Sequence, residues 1–481
     1  MNDASITLRE LLGDPGAPDI APRGLSEDSR TVEAGDAFVA VRGESSDGHD
    51  FAAQAAANGA VCVLAERDLA DPGVPVVAVA GLRERRGALA ARFYGDPSRR
   101  LRCIGVTGTN GKTSIAHHLA DLARGLGQRA GYLGTLGWGE IGRLEPAALT
   151  TADAIATQRR LAHLRDRGCA WACLEASSHA LAQGRVDDVR FECAIFSNLT
   201  RDHLDYHAGI AEYGAAKRRL FEFPSVRVAL INIDDTFGRE LAADLQGPEI
   251  LTVGRNGGDL SWGPVDCHDA GVRARISSPW GQAVVELPVF GEFSLANVAA
   301  AIGALAASGF SFRELVGQAC SLAGVPGRME FFRKPGLPTV VVDYAHTPDA
   351  LTNALAALAR HCRGRLTCVV GCGGNRDRGK RPLMARAAAA GADAVWLTSD
   401  NPRWEEPAAI IAEMRAGLDG GAAVREEVDR AAAIAGAIGD AKPTDLVVIA
   451  GKGHETTQEA RGERRPFSDR ETVCRALGGS R

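Results

Sequence analysis

The segment IGVTGTNGKTS, at residues 104–114, combines closely spaced glycines with a lysine and several hydroxyl side chains. It follows a short apolar run and opens the helix-like stretch KTSIAHHLADLARGLG, which is the strand-to-helix context of a phosphate-binding loop. Position 106 is Val, so the glycine spacing differs from the usual GxxxxGK[ST]. Glycines let backbone N–H groups approach phosphate oxygens, Lys112 would reach the β- and γ-phosphates, and Thr113 would offer its hydroxyl to Mg²⁺. The segment therefore predicts a nucleoside triphosphate site, without specifying the reaction.

Acidic and histidine side chains follow the next two apolar runs, in CLEASSHAL and SNLTRDHLDYH. Mg²⁺ prefers oxygen ligands, so Glu175 at the end of the first run is the natural first choice for a metal ligand. His203, in the second segment, is a less usual ligand, because a loop histidine more often serves as a hydrogen-bonding group. These residues predict a magnesium site at a strand end, where the ion would bind together with the triphosphate held by the phosphate-binding loop.

Two basic residues are harder to assign from residue type alone. Lys217 lies in YGAAKRRLF, a predicted helix with three adjacent basic residues, and such a run normally forms a solvated helix face. Arg403 lies in LTSDNPRWEEP, where an apolar run ends in turn residues. Its planar guanidinium suits a carboxylate or phosphate ligand. The alternative for Arg403 is a surface salt bridge to Glu405 or Glu406.

Apolar, β-rich runs alternate with alanine-, leucine- and arginine-rich helical stretches along nearly the whole chain. This alternation predicts α/β domains with largely parallel sheets, whose functional loops lie at the carboxyl ends of the strands. The segments YGDPSRRLRC and AGVPGRMEFF mark two boundaries in the chain of 481 residues. We expect an N-terminal α/β domain at 1–97, a central P-loop ATPase-like α/β domain at 98–326 and a C-terminal Rossmann-like α/β domain at 327–481.

The composition argues against several other classes of protein. The formal net charge of −5 gives no general attraction to nucleic acid or to anionic membranes. The 11 cysteines include no CxxC pair, which favours a reducing cytoplasm over a disulfide framework. No apolar run reaches the ~20 residues of a transmembrane helix, and the N-terminal MNDASITLRELLGD lacks a signal-peptide pattern. We therefore expect a cytoplasmic protein without membrane insertion or nucleic-acid binding.

These segments together resemble the Mur ligases of peptidoglycan synthesis. The matching motifs occur in family order over essentially the whole chain: DSRTVEAGDAFVAVRG, DGHDF, GTNGKT, EASSHAL, NLTRDHLDYH, YGAAKRRLF, GRME, DYAHTPDAL, GGNRDRGKRPLM, DNPR and GKGHE. Within the family, the chain is most similar to the type that adds diaminopimelate to UDP-N-acetylmuramoyl-L-alanyl-D-glutamate. The chain departs from the family pattern at Ala152, Ser294 and Thr457, none of which is an expected catalytic residue.

The resemblance implies an ATP- and Mg²⁺-dependent, ADP-forming ligase. ATP would phosphorylate the D-glutamyl carboxylate to an acyl phosphate, and the amine of meso-2,6-diaminopimelate would then attack to form an amide. Because a carboxylate attacks an anionic triphosphate, the site must concentrate positive charge, partly through Lys112. In the family, the lysine that matches Lys217 is carbamylated and bridges metal ions, and Glu175 and His203 match further metal ligands. We expect a monomer whose partners are small-molecule substrates.

The resemblance also assigns residues to each of three ligands. Expected ATP contacts are Gly108, Thr109, Asn110, Gly111, Lys112, Thr113, Ser114, Asn297, Arg328 and Asp343. Expected contacts to the uridine nucleotide and the muramoyl dipeptide are Ser29, Thr150, Thr151, Ser177, Gln183 and Arg185. Expected contacts to diaminopimelate are Arg376, Asp400, Asn401, Pro402, Arg403, Gly451 and Glu455.

The acceptor amino acid distinguishes members of this type from one another. In the family, the DNPR arginine accompanies diaminopimelate, whose far end has a carboxylate, and lysine-adding relatives typically lack it. A bidentate guanidinium would attract that carboxylate and repel the ammonium of lysine. Two alternatives stay open: a lysine-adding ligase of the same type, and a P-loop switch protein that binds nucleotide without forming an amide. Folylpolyglutamate synthases share the ligation but lack the N-terminal DSR and DGHD block.

Overall fold

The computed structural model describes residues 6–44, 46–200, 206–255, 257–418 and 423–479. The chain forms two compact units. The first comprises Met1–Ser261, Ser278–Trp280 and Ala300–Leu315, and the second comprises Trp262–Ser277, Gly281–Ala299 and Val316–Arg481. Within the described ranges, no helix has both the length and the apolar character needed to cross a membrane.

Helices and strands alternate along the chain, which confirms the predicted α/β class. The α-helices are α1 Leu8–Leu12, α2 Ala52–Ala57, α3 Leu82–Phe93, α4 Lys112–Gly125, α5 Ala154–Asp166, α6 Ser178–Ala182, α7 Ile210–Arg218, α8 Thr236–Asp244, α9 Glu292–Ala307, α10 Phe312–Ala319, α11 Pro348–Ala359, α12 Lys380–Gly391, α13 Pro407–Arg415, α14 Arg430–Asp440 and α15 Asp469–Ala476. The strands are β1 Leu25–Ser26, β2 Ala37–Ala40, β3 Cys62–Ala65, β4 Val76–Ala78, β5 Arg102–Thr107, β6 Ala130–Gly134, β7 Gly137–Glu140, β8 Trp171–Glu175, β9 Phe191–Phe196, β10 Val228–Asn232, β11 Glu249–Gly254, β12 Leu260–Trp262, β13 Asp266–His268, β14 Gly271–Ser278, β15 Gly281–Leu287, β16 Glu330–Phe332, β17 Thr339–Asp343, β18 Leu366–Cys372, β19 Ala394–Ser399, β20 Ala423–Glu426, β21 Leu446–Ala450, β22 Thr457–Ala460 and β23 Glu463–Pro466. Short 3₁₀ helices occur at Ser29–Thr31, Gly48–Phe51, Pro97–Arg99 and Arg219–Phe221.

The N-terminal part of the first unit contains a small parallel sheet with the strand order β1-β2-β3-β4. Successive side chains of a strand point to opposite faces, so β2 contributes to two cores. Ala37 and Val39 pack with residues of α1 and α3, whereas Phe38 and Ala40 pack with residues of α2. Burial on both faces explains why β2 is apolar at every position, as is usual in parallel sheets.

A second, larger sheet of the first unit positions the phosphate-binding loop. Its strand order is β12-β11-β10-β9-β5-β8-β6-β7, and these strands run parallel except β7, which is antiparallel to β6. The central strand β5 lies between β8 and β9, and the three strands end at Thr107, Glu175 and Phe196. The predicted phosphate-binding and metal-binding segments therefore start from one edge of one sheet.

The main sheet of the second unit has the strand order β16-β17-β21-β18-β19-β20. All neighbours are parallel except β16, which is antiparallel to β17. The adjacent strands β21, β18 and β19 lead at their carboxyl ends into GKGHE, GGNRD and DNPR, respectively. The unit also contains an antiparallel pair β13–β14, with β15 on β14, and the hairpin β22–β23.

A buried ion pair fixes two of these strand ends. Arg430 and Asp469, the first residues of α14 and α15, both have side chains with 0% exposure. The guanidinium donates two hydrogen bonds to the carboxylate, at 2.7 and 2.8 Å. It also donates to the carbonyl oxygens of Ser399 at 3.2 Å and Ala450 at 2.9 Å, which are the last residues of β19 and β21. The pair therefore connects two helices to the strands that precede DNPR and GKGHE.

Replacement of the buried carboxylate should destabilise the second unit strongly. Asp469→Ala leaves a buried guanidinium without its counter-charge, and we expect the free energy of unfolding to fall by about 3–5 kcal/mol in urea denaturation. The matched control is Glu463→Ala, which removes the exposed Arg465–Glu463 pair. We expect that control to change the free energy by less than about 0.5 kcal/mol. Equal effects of the two substitutions would show that the buried Arg430–Asp469 pair stabilises the second unit no more than an exposed ion pair does.

Candidate functional site

The phosphate-binding loop joins β5 to α4, and its conformation depends on glycine. Gly108 and Gly111 have φ values of +144° and +87°, a region that side chains rarely adopt. Space also excludes a side chain at 108, since a Cβ there would lie 1.9 Å from Oγ of Ser197. Nζ of Lys112 donates to the carbonyl oxygens of Gly108 and Thr109, each at 2.8 Å. The ammonium is therefore held against the loop at the N-terminus of α4, where anions bind well.

The segment after β9 holds the loop in this conformation. The backbone N–H of Thr109 donates to the carbonyl oxygen of Asn198 at 2.8 Å, and that of Asn110 donates to the Asn198 side chain at 3.0 Å. Oγ of Ser197 donates to the carbonyl oxygen of Asn110 at 2.5 Å. Ser114 is a half-buried residue in the first turn of α4. The predicted ATP contacts at 108–114 thus form one continuous loop and helix start.

Glu175 is the most tightly held carboxylate of this region. It is 1% exposed, and its oxygens accept hydrogen bonds from the hydroxyl of Tyr132 at 2.5 Å and from that of Thr113 at 2.9 Å. The backbone N–H and the hydroxyl of Thr135 donate to it at 2.8 and 3.2 Å. Gly134 leaves room for this cluster, since a Cβ there would lie 2.1 Å from Oε1 of Glu175. Four donors therefore keep the carboxylate beside the phosphate-binding loop.

The residues present fit a magnesium ion. Thr113 and Glu175 place a hydroxyl and a carboxylate oxygen 2.9 Å apart, and Mg²⁺ prefers oxygen ligands. Three or more His, Cys, Asp or Glu side chains do not cluster as a metal site anywhere in the described ranges. His203, the remaining predicted ligand from the loops, lies outside the described residues.

Lys217 is buried, with 1% exposure, so the prediction of a solvated helix face is wrong at this residue. Tyr213 and Lys217 stand four residues apart on α7 and therefore share one face of the helix. Nζ of Lys217 donates to the carbonyl oxygen of Gly108 at 2.9 Å and lies 4.1 Å from the centroid of the Tyr213 ring. The neighbouring Arg218 and Arg219 are partly exposed and ion-paired. The packing of α7 against the phosphate-binding loop therefore buries Lys217, while the two basic residues that follow it stay partly exposed, as the basic run predicts.

A cavity of about 640 Å³ lies in the first unit and brings together three of the predicted nucleotide-sugar contacts: Ser29, Gln183 and Arg185. Its other basic lining residues are Arg30, Arg42, Arg83 and Arg86. A cavity with several guanidinium groups suits an anionic ligand such as a diphosphate. The three predicted contacts come from distant parts of the sequence, so their meeting is a product of the fold.

The three remaining predicted dipeptide contacts lie beside the Glu175 cluster. Thr151 donates through its hydroxyl to the backbone carbonyl oxygen of Glu175 at 2.7 Å and lies 3.3 Å from the hydroxyl of Ser177. Thr150 is hydrogen-bonded to Thr135 at 3.1 Å. Arg185 donates to the carbonyl oxygen of Thr151 at 3.0 Å, which connects this cluster to the cavity.

In the second unit, DNPR and GKGHE contact each other directly. The Asn401 side chain donates to the carboxylate of Glu455 at 2.9 Å. The fully buried Lys452 donates to that carboxylate at 2.6 Å and to Oδ1 of Asn401 at 3.0 Å. Gly451 has a φ of +116°, and a Cβ there would lie 2.9 Å from Oδ2 of Asp400. The two loops therefore form one polar surface at the ends of β19 and β21.

Arg403 does not form either of the surface salt bridges considered from the sequence. Glu405 is paired with Arg381, which helps to lower the pKa of that carboxyl to about 2, and Glu406 is paired with Arg461. Arg403 instead donates to the carbonyl oxygen of Gly374 at 2.8 Å, and its Nε lies 3.7 Å from Oε2 of Glu459. Its φ is +52°, a strained value for a residue with a side chain.

The other members of the DNPR and GGNRD loops lie next to Arg403. Gly374 packs against the carbonyl of Pro402, since a Cβ on Gly374 would lie 1.9 Å from that oxygen. Arg376, from the loop after β18, has an exposed side chain. The guanidinium of Arg403 thus reaches the loop that contains Arg376.

The later ATP-contact candidates also belong to the second unit. Asp343 accepts hydrogen bonds from the backbone N–H groups of Met329 at 2.7 Å and Ala345 at 2.9 Å, and burial raises the pKa of its carboxyl. The guanidinium of Arg328 lies 4.3 Å from the centroid of the Tyr344 ring. Pairing of β16 with β17 brings Arg328 and Asp343 together. Asn297 is a half-buried residue of α9.

Sequence reasoning misses several residues that complete these sites. Tyr132 and Thr135 hold Glu175, and Lys452 joins the two loops of the second unit. The signal for Lys452 is its place inside GKGHE, and the signal for Tyr132 is a hydroxyl within the otherwise apolar run AGYLG. Nothing in the sequence pairs Tyr132 with Glu175, because their contact depends on β6 lying beside β8.

Known proteins match this chain along nearly its whole length. Family models match three consecutive segments: the catalytic domain of the Mur ligase family at residues 23–94, the Mur ligase middle domain at 106–305, and the Mur ligase glutamate ligase domain at 327–453. These matches agree with the predicted three-domain, mixed α/β architecture.

Individual relatives agree with the family models. Proteins named UDP-N-acetylmuramoyl-L-alanyl-D-glutamate–2,6-diaminopimelate ligase, from Alkalilimnicola ehrlichii and Pseudomonas aeruginosa, are each 46% identical to this chain. Each match covers 95% of this chain, with 94% and 96% of the respective relative. A solved structure of a protein with the same name is 40% identical, covers 99% of both chains and has a TM-score of 0.72. On these matches and on its motifs, the chain belongs to the Mur ligase family.

Proposed function

We propose that the chain adds meso-2,6-diaminopimelate to the D-glutamate of UDP-N-acetylmuramoyl-L-alanyl-D-glutamate, with cleavage of ATP to ADP and phosphate. The observation that supports this most directly is the meeting of GKGHE, GGNRD and DNPR at three adjacent strand ends. The names of the 46% identical relatives agree with it. ATP would convert the D-glutamyl carboxylate to an acyl phosphate, and the amine of diaminopimelate would displace the phosphate.

The first unit supplies the positive charge that this chemistry requires. A carboxylate that attacks ATP approaches another anion, so catalysis depends on charge placed around the transferred phosphoryl group. The backbone N–H groups of the loop and the Lys112 ammonium would bind the β- and γ-phosphates. Mg²⁺ bound through Thr113 and Glu175 would neutralise further phosphate charge. The four donors to Glu175 keep its carboxylate oriented for that role.

A carbamate on Lys217 is part of the proposal. An ammonium buried to this degree is costly, and carbamylation would replace it with a carboxylate next to Gly108. A carboxylate there would provide oxygen ligands for a second Mg²⁺. His203 would complete the metal ligands.

The second unit would select the amino acid. A carboxylate at the far end of diaminopimelate would bind the guanidinium of Arg403, with Arg376 beside it, and Glu455 would accept the distal ammonium. Asp400, Asn401 and Gly451 would shape the surrounding loops. Lysine has no carboxylate at its far end, so it would offer these guanidinium groups no anionic group to bind and would bind poorly.

The remaining expectations belong to this proposal as well. We place domain boundaries after residues 97 and 326, which fall between the three matched segments. We propose a cytoplasmic monomer that acts on small molecules. The formal net charge of −5 argues against nucleic acid as a partner.

Removal of the Arg403 guanidinium should abolish the preference for meso-diaminopimelate over L-lysine. We expect Arg403→Ala to lower kcat/KM for meso-diaminopimelate by about 100-fold or more, because truncation of one partner of a desolvated charge pair costs about 2–5 kcal/mol. Turnover of L-lysine should not fall. The measurement is product formation by mass spectrometry with each amino acid. Arg461→Ala is the matched control, since Arg461 is 79% exposed and paired with Glu406.

Two results would contradict the proposal, one from that experiment and one from an assay of ATP hydrolysis. Wild-type activity with L-lysine alone would favour the lysine-adding alternative. ATP hydrolysis that does not depend on the nucleotide sugar would favour a P-loop switch protein.

Loss of the Tyr132 hydroxyl should lower the affinity for Mg²⁺. We expect Tyr132→Phe to raise the half-saturating Mg²⁺ concentration several-fold, since Glu175 loses its 2.5 Å hydrogen bond and its fixed orientation. The rate at saturating Mg²⁺ should stay close to that of the wild type. Tyr94→Phe is the control, because the Tyr94 hydroxyl accepts its hydrogen bond from the backbone N–H of Leu25 in the N-terminal part. The same Mg²⁺ dependence in both variants would show that Tyr132 does not orient Glu175.

A further inference from the structure

A fully buried arginine of the second unit, Arg381, contacts residues of the loops that follow β18 and β19. It belongs to the first turn of α12, and its side chain has 0% exposure. Its guanidinium donates two hydrogen bonds to the carboxylate of Glu405, at 2.8 and 2.9 Å, and one to that of Glu413 at 2.8 Å. A longer hydrogen bond of 3.4 Å goes to the carbonyl oxygen of Gly373. The proposed chemistry gives none of these residues a role.

Glu405 is the residue at which the two loops meet. It lies two positions after Arg403, in the loop after β19. Besides the two hydrogen bonds from Arg381, its carboxylate accepts one from the backbone N–H of Asn375, in the loop after β18. Asn375 directly precedes Arg376. One carboxylate therefore joins the loop that contains Arg403 to the loop that contains Arg376.

The backbone of both loops needs such support. Asn375 and Arg403 have φ values of +51° and +52°, a region that residues with a side chain adopt rarely. Conformations of this kind persist only where the surrounding contacts fix them. Besides the contacts of Glu405, the backbone N–H of Trp404 connects the two loops by donating to Oδ1 of Asn375 at 3.0 Å. The positions of the two loops thus depend on one another.

Glu413 resembles Glu405 in its contact with the buried guanidinium and differs from it in its other partner. The two side chains are 28% and 26% exposed. Glu413 lies on α13, and its other partner is the side chain of Arg378, which is 71% exposed. An ion pair so open to solvent contributes little to the position of a loop. Only Glu405 binds the backbone of a loop, so Glu413 is its matched control.

We propose that Arg381 and Glu405 are positioning residues of the diaminopimelate site, which fix the loop of Arg403 against the loop of Arg376. This inference rests on the proposed function, since it assigns both loops to diaminopimelate. The buried guanidinium orients the carboxylate, and the carboxylate holds the two loops together. In this role neither residue touches the substrate. Each acts through the distance between the two guanidinium groups that would bind the far carboxylate of diaminopimelate.

The direct test compares Glu405→Gln with Glu413→Gln, because each substitution removes one carboxylate from Arg381 and keeps the size of the side chain. We expect Glu405→Gln to lower kcat/KM for meso-diaminopimelate about tenfold or more, mainly through KM, since a shift of about 1 Å in a binding group can cost ~100-fold. Glu413→Gln should stay within about threefold of the wild type. The KM for ATP should not change in either variant. The measurement is the initial rate of phosphate release with diaminopimelate varied at saturating ATP and nucleotide sugar.

Unfolding in urea separates a positioning role from a purely structural one. Each substitution takes one charged partner from the same buried guanidinium, so we expect similar decreases in the urea midpoint. Under the proposal, only Glu405→Gln combines that decrease with a loss of kcat/KM for diaminopimelate. Equal losses of kcat/KM in the two variants, or no loss in Glu405→Gln, would overturn the proposal.

Hydrogen–deuterium exchange tests the contact between the loops without any substrate. The backbone N–H of Asn375 donates to Glu405, so peptides that contain Asn375 should exchange faster in Glu405→Gln than in the wild type. The same peptides of Glu413→Gln should exchange as they do in the wild type. Equal exchange in all three proteins would show that Glu405 does not hold the loops together.

The kinetic and exchange measurements separate failure of this inference from failure of the proposed function. If exchange is faster only in Glu405→Gln but its kcat/KM for diaminopimelate equals that of the wild type, the carboxylate joins the loops and its role in substrate binding is overturned. If the wild type forms no product from the nucleotide sugar and diaminopimelate, the proposed function fails, and the inference fails with it. Faster exchange together with a raised KM for diaminopimelate, in Glu405→Gln alone, supports both.

Discussion

Neighbouring parallel strands end at the same edge of a sheet, and both candidate sites of this chain depend on that constraint. In the first unit, β5, β8 and β9 end together, so the phosphate-binding loop, Glu175 and Ser197 meet although about 90 residues of chain separate the first from the last. In the second unit, β21, β18 and β19 bring three loops together in the same way. The sequence distance between the site segments is therefore no obstacle to a compact site.

Within the first unit, the residue Glu175 connects the phosphate-binding loop to the residues at the cavity. The side chain of Glu175 is bound by Thr113 from the phosphate-binding loop and by Tyr132 from β6. Its backbone carbonyl accepts from Thr151, which in turn accepts from Arg185 through its own carbonyl. A continuous chain of hydrogen bonds thus runs from the phosphate-binding loop to the cavity lined by Ser29, Gln183 and Arg185. Such continuity is what a transfer between two bound substrates requires, because small errors in position reduce the rate strongly.

The sequence predicts those features that are local and misses those that depend on packing. Alternating apolar and helical runs predict the α/β class, and the glycine-rich segment predicts the loop before α4, because both signals lie within a few residues of each other. Lys217 is buried against expectation, since a basic run gives no information about which side of α7 meets the loop. The ion-pair partners of Glu405 and Glu406 are likewise distant in sequence. The resemblance to Mur ligases, which rests on many ordered motifs, is confirmed by matches along 95% of the chain.

In the proposed reaction, ATP cleavage is coupled to the joining of two particular substrates. Phosphate release measured with ATP and Mg²⁺, with UDP-N-acetylmuramoyl-L-alanyl-D-glutamate and meso-diaminopimelate added together or one at a time, tests it directly. We expect sustained release of phosphate only when both are present, with one amide formed per phosphate. Sustained release without the nucleotide sugar, or without any amino acid, would contradict it.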